Sequence, residues 1–158
     1  MKKPITLSLF ALLATLAMSA HADTDSYRVP KNAAFEEECG SCHVAFPPRM
    51  LHADSWRAMM GDLPRHFGSD ASLDDKRRAA ITDFLVTNSG KRKTGSTRDA
   101  KGKPLLRITE TADFRHEHDE IAAATWQRAA IKNPANCAAC HTRAAAGDYS
   151  EHSISIPK

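Results

Sequence analysis

The sequence predicts a mainly α-helical protein built as two small units, and three observations lead there. Apolar residues recur at helical spacing in several stretches bounded by capping residues and prolines. No stretch keeps strand-like alternation for more than a few residues. A five-residue pattern, Cys-x-x-Cys-His, stands at 39–43 and again at 137–141, and together the two hold every cysteine of the 158-residue chain.

The chain opens with Met1-Lys2-Lys3, an uncharged apolar run of 14 residues from Ile5 to Met18, and Ala20-His21-Ala22 ahead of Asp23. A basic start, a short apolar run and Ala-x-Ala are the parts of a secretory signal peptide, and the run is short for a membrane span. Residues 1–22 are therefore expected to be removed, leaving a mature protein outside the cytoplasm. Beyond residue 22 stand 20 Lys and Arg against 19 Asp and Glu, a balance near +1 that does not indicate a nucleic-acid binder. The whole chain is only 42% apolar, with much of the aliphatic content in the leader. Its own side chains make a thin core, which something else must supplement.

The first unit is expected over 23–89. In "KNAAFEEECGSCH" Phe35 precedes Cys39 by one helical turn. After Pro47-Pro48, "DSWRAMMGDL" places Trp56, Met59, Met60 and Leu63 on one helical stripe that Pro64 closes. The strongest helix is in "SLDDKRRAAITDFLVTNSG", where Ser72 and Asp75 form a capping pair. Its stripe is Leu73, Ala80, Ile81, Phe84 and Leu85, and Asn88-Ser89-Gly90 stops it. Residues 90–104, "GKRKTGSTRDAKGKP", carry six basic side chains, one acid and no large apolar residue, and read as an exposed basic linker. The second unit spans 105–158. There Asn133-Pro134 ahead of "ANCAACHTRAAAG" predicts a helix start, with Gly147 as its stop.

The cysteine chemistry follows from spacing. Four cysteines in an exported chain suggest two disulfides, but a bridge between positions i and i+3 constrains the unfolded chain little and leaves the histidine unexplained. Two Cys-x-x-Cys pairs could cage zinc, yet such a cage needs no histidine after each pair. A redox dithiol would want a βαβ context, which is missing. Covalent attachment of haem c uses every residue. Two thiols one turn apart can add to the two vinyl groups of a porphyrin, and the next imidazole is then placed under the iron. Two haem c groups are thus expected, on Cys39 and Cys42 and on Cys137 and Cys140, with His43 and His141 as proximal iron ligands.

The chain also resembles the bacterial di-haem cytochrome c (DHC) family. The resemblance runs through "ECGSCHVAFPP", "SWRAMM", "HFGSDASLD" and "ITDFLVTNS", then "RITETADF", "HDEI", "NPANCAACHTRAAAGDY" and "ISIP". It implies a class I cytochrome c-like N-terminal domain followed by a small, irregular, mostly helical C-terminal haem domain, with histidine on both sides of each iron. It further implies periplasmic electron transfer, with a small soluble mono-haem cytochrome c and a membrane b-type cytochrome as partners. His52 and His116 stand outside the family pattern.

For the sixth ligands the residues leave a short field. His66 follows the helix-ending Pro64 and precedes Phe67-Gly68, a loop able to fold over the first haem; His52, Met50, Met59 and Met60 compete with it. The methionines of the Trp56 stripe are better explained as core. In "RHEHDEI" His118 shares a face with Phe114 and Ile121, while His116 lies on the other side of a helix, and His152 is a third candidate for the second iron. Two imidazoles per iron leave no open position, which favours an electron carrier over an enzyme. The alternative is a haem enzyme or gas sensor in which one site is open or labile.

Overall fold

The structure is a computed structural model and describes Tyr27, residues 30–91 and residues 97–158. The leader expected at 1–22 and the middle of the expected basic linker lie outside the described residues. Five α-helices occur among the described residues, with 3₁₀ turns between them and no strand: α1 (Ala33–Gly40), α2 (Ala53–Met60), α3 (Asp75–Thr87), α4 (Ala112–Glu117) and α5 (Ala123–Trp126). The expectation of a mainly helical chain holds.

The N-terminal half is organised by α2 packed on α3, with α1 leaning on α3. Helix α1 starts because Asn32 caps it, its Oδ1 accepting the Phe35 amide proton at 2.9 Å. Between α1 and α2, Pro48–Met50 form a 3₁₀ turn, and the Trp56 indole of α2 donates to the Pro48 carbonyl at 2.6 Å. The Gly90 amide donates to the Leu51 carbonyl at 2.9 Å, so the end of α3 returns to the start of α2. Phe35, Leu51, Trp56, Met60, Leu63, Ile81 and Leu85 form one buried cluster. Each large member contributes about 1.5–3 kcal/mol on burial. Arg77 of α3 pairs with Glu38 of α1 and locks the two helices at the surface.

Two details of α3 differ from the sequence reading. Its cap is Asp74, whose Oδ1 accepts from the Arg77 amide at 2.9 Å, and not the Ser72 and Asp75 pair. Ser72 is engaged one turn earlier, its amide and hydroxyl both donating to Asp70, which holds it in a turn. Ala80 is exposed, so the buried stripe narrows to Ile81 and Leu85, with Leu73 and Phe84 partly covered.

The C-terminal half is more irregular. Arg98 bridges back to Pro104, Leu105 is buried, and Ile108 packs against the N-terminal cluster. Arg98 also reaches Asp54 of α2 at 3.4 Å. The helix expected after Pro134 is absent, and residues 137–139 and 144–146 are separate 3₁₀ turns. Hydrogen bonding gives the reason. The Cys140 carbonyl, which a helix would offer to Ala144, accepts from Ser155 at 2.8 Å, and the Thr142 amide donates to Ser153 at 3.1 Å. The helical ladder is thus diverted to the chain terminus. Gly147 does end this stretch, in the left-handed conformation (φ 73°), and a β-carbon there would stand 3.0 Å from the Tyr27 carbonyl oxygen. Among described residues 97–158 the buried apolar side chains are Leu105, Ile131 and Ala144.

Candidate haem-binding sites

Each five-residue motif sits on a short helical turn. The first is the end of α1: Cys39 lies in its last turn against the core cluster, and exposed Cys42 follows Ser41, whose hydroxyl donates to the Glu38 carbonyl at 3.0 Å. The second is a single turn closed by the His141 amide donating to the Cys137 carbonyl at 2.8 Å. No cysteine is in a disulfide. Among the described residues no three His, Cys, Asp or Glu side chains gather as a metal cage requires, so the four cysteines do not form a zinc ribbon. Burial, with a smaller push from Glu38, raises the Cys39 thiol to about 11, and burial raises Cys137 to about 11 as well. Thiols held neutral in this way are unlike the low-pKa thiolates of redox dithiols.

The histidines meet in two pairs. His43 faces His66 with ring centroids 6.2 Å apart and planes inclined by 22°. His118 faces His141 at 6.0 Å with planes inclined by 70°. The chain positions them by different means. His66 caps the 3₁₀ turn Leu63–Arg65, in which Pro64 is the second residue, and the Ser69 amide closes its loop by donating to the His66 carbonyl at 3.0 Å; α2 itself ends earlier, at Met60, and not at Pro64. His118 sits at the end of α4, where that helix stops, its ring stacked on Phe114 at 4.1 Å. His116 and His152 are exposed. His52 lies at the start of α2 in a bridge with Gly90; Met60 is core, and Met59 packs against it.

Local contacts prepare the imidazoles. His43 Nδ1 donates to the Val44 carbonyl at 2.7 Å, and His118 Nδ1 donates to the Phe114 carbonyl at 2.8 Å. That tautomer leaves Nε2 with a free lone pair, the form that binds a metal. Burial, and secondarily the facing histidine, lowers the pKa of His66 and of His141, against a smaller opposing pull from Asp148 on His141, and this favours the neutral ring in both. Three side-chain atoms among the described residues are buried with no hydrogen-bond partner: His66 Nδ1, His141 Nδ1 and the Tyr149 hydroxyl. An orphan of this kind costs about 1–3 kcal/mol. All three stand at the ring pairs, Tyr149 lying 5.2 Å from His141, where the chain supplies no partner of its own. The residues therefore fit two haems.

Sequence reasoning missed the aromatic frame. Phe46 stacks on His43 at 4.7 Å, Trp126 lies 5.8 Å from His118, and Tyr149 stands between His141 and Tyr27. Only the nearness of Phe46 to His43 in the chain could have signalled one of them.

Two attachment motifs, each carrying its histidine to a second imidazole, define a c-type cytochrome for two haems. The chain belongs to the dihaem cytochrome c family, whose model matches residues 35–149. Its fold is similar to the X-ray structure of a diheme cytochrome type c from Shewanella baltica, at 36% identity and a TM-score of 0.68, over 82% of this chain and 95% of that one. It is similar as well to the crystal structure of DHC purified from Rhodobacter sphaeroides, at 41% identity and a TM-score of 0.64, over 77% of this chain and all (100%) of that one. No curated protein gives a significant match. Membership assigns two covalently bound haem c groups and a part in electron transport. No helix among the described residues is long and apolar enough to cross a membrane.

Proposed function

We propose that this dihaem cytochrome is a one-electron carrier, not an enzyme, in which each iron lies between two imidazoles: His43 with His66 and His141 with His118. The observation that carries the reading is the spacing of the rings. Two metal–nitrogen bonds of about 2 Å, with about 1 Å from each nitrogen to its ring centre, require about 6 Å between centroids. The two pairs stand at 6.2 Å and 6.0 Å. Bound haem supplies reversible one-electron iron chemistry, and nitrogen ligands on both sides favour its oxidised state more than methionine does. The chain's part would be to hold each iron with two imidazoles and so to close it to substrate. Phe46, Phe114 and Trp126 exclude water around the rings, and the Val44 and Phe114 carbonyls fix the tautomers.

In the same reading residues 23–89 form a class I cytochrome c-like domain and 105–158 a second haem domain. The leader at 1–22 places the mature protein in the periplasm, where haem c is attached in bacteria. Its partners are other redox proteins, a small soluble mono-haem cytochrome c and a membrane b-type cytochrome. A closed pair of irons is tested by mixing the ferrous protein with carbon monoxide. An unchanged optical spectrum is expected, whereas a haem enzyme or gas sensor would shift its bands.

A further inference from the structure

The loop that carries His66 is strained, and a residue from the other half of the chain lies across it. Phe67 has φ 50° and Gly68 φ 98°, two successive residues in the left-handed region, which a glycine accepts and an aromatic residue resists. Such a conformation persists where its surroundings over-determine it. The backbone bonds around it, from Ser69 to His66 and from Ala71 to Leu63, close the loop at its ends. Its middle is covered from outside: the Arg107 guanidinium lies 4.2 Å from the centre of the Phe67 ring. Arg107 is itself held, with buried Leu105 two residues before it, Ile108 packed on the N-terminal core after it, and Glu110 3.7 Å from its Nε. Phe67 in turn stands 5.0 Å from the His66 ring.

From this geometry we infer that Arg107 is a positioning residue for the first haem: by stacking on Phe67 it holds the strained turn shut and keeps His66 on the iron. The inference rests on the assignment of His66 as distal ligand. It makes the C-terminal half a determinant of ligand exchange at the N-terminal haem, through a contact between two side chains neither of which is an iron ligand. The energy scale of an exposed cation–π contact, converted to a population, gives on the order of a fivefold change in the fraction of time the loop is open.

The test is the rate at which cyanide displaces the distal ligand of the ferric dihaem protein, a rate limited by opening of the histidine loop. His66→Ala should remove the slow phase belonging to the first haem and so identify it. Arg107→Ala should speed that phase about fivefold and leave the second haem's phase unchanged, and Arg107→Lys, which keeps a cation over the ring, should restore most of the original rate. Phe67→Leu should match Arg107→Ala, and the double variant should be no faster than either single one, since both remove the same contact. An unchanged first-haem phase in Arg107→Ala, or additive effects of the two substitutions, overturns the positioning role while the ligand assignment stands. If His66→Ala leaves both phases unaltered, the ligand assignment fails and the inference falls with it.

Discussion

The imidazole planes of His118 and His141 stand 70° apart, whereas those of His43 and His66 are inclined by only 22°. The frames differ accordingly. His118 is oriented by its stack on Phe114 and its bond to the Phe114 carbonyl, while His43 lies nearly parallel to Phe46. Ring orientation decides how two axial imidazoles split the iron d orbitals. Near-parallel rings produce a rhombic low-spin ferric signal, and crossed rings a more anisotropic one with a larger maximum g. Low-temperature electron paramagnetic resonance of the oxidised protein should therefore show two distinct low-spin signals. His118→Ala should abolish the more anisotropic one. Two superimposable signals would contradict this difference.

Loss of haem attachment should act unequally on the two halves. The N-terminal cluster has seven buried apolar members, but residues 97–158 bury only Leu105, Ile131 and Ala144 among those described. So small a core needs its cofactor for folding. The double variant Cys137→Ala/Cys140→Ala should lose the cooperative unfolding of the C-terminal half, while circular dichroism still reports a melting N-terminal helical set. An undiminished single transition would speak against the haem as core.

Gly147 offers a backbone test. Gly147→Ala places a β-carbon at left-handed φ and 3.0 Å from the Tyr27 oxygen. The conformational term alone costs about 1–2 kcal/mol, and the neighbouring chain must also shift. Chemical denaturation should show a loss of at least that size. A neutral substitution would mean that the turn after Ala146 is adaptable.

If the basic segment docks an acidic redox partner, electron exchange should slow steeply as salt rises. Exposed Lys101 and Lys103 lie on the turn that Arg98 and Pro104 close, and exposed charges are screened over about 10 Å at 0.1 M ionic strength. Stopped-flow rates independent of ionic strength would remove the basic segment from partner binding.

The parts of the fold that could be read in advance are those governed by local rules. The Trp56 and Met60 stripe and the Ile81 and Leu85 face are set by helical periodicity, so they appear where the spacing puts them, whereas Leu63 is buried from a separate 3₁₀ turn because α2 stops at Met60. The 3₁₀ turn around Pro64 and the Gly147 stop follow from single residues. What stayed hidden depends on distant chain. The helix expected over the second motif is broken by Ser153 and Ser155, which take hydrogen bonds that local pattern assigns to the helix. Asp74 replaces Ser72 as the cap because Asp70 claims Ser72 first. At the sites, the cysteines and their adjoining histidines are legible as a motif. The Tyr149 and Trp126 rings are not, since they reach the imidazoles from other turns.

In the proposed ligation His66 and His118 complete the coordination of the two irons. That ligation is tested most directly by optical spectra of His66→Ala and His118→Ala, ferric and then ferrous under carbon monoxide. Each variant should show one high-spin haem that binds carbon monoxide and one low-spin haem that does not, while His52→Ala, His116→Ala and His152→Ala match the unaltered protein. If His118→Ala stays fully low-spin and His116→Ala or His152→Ala does not, the second pair is wrongly assigned. A His66→Ala protein with both haems low-spin and inert to carbon monoxide would contradict the first.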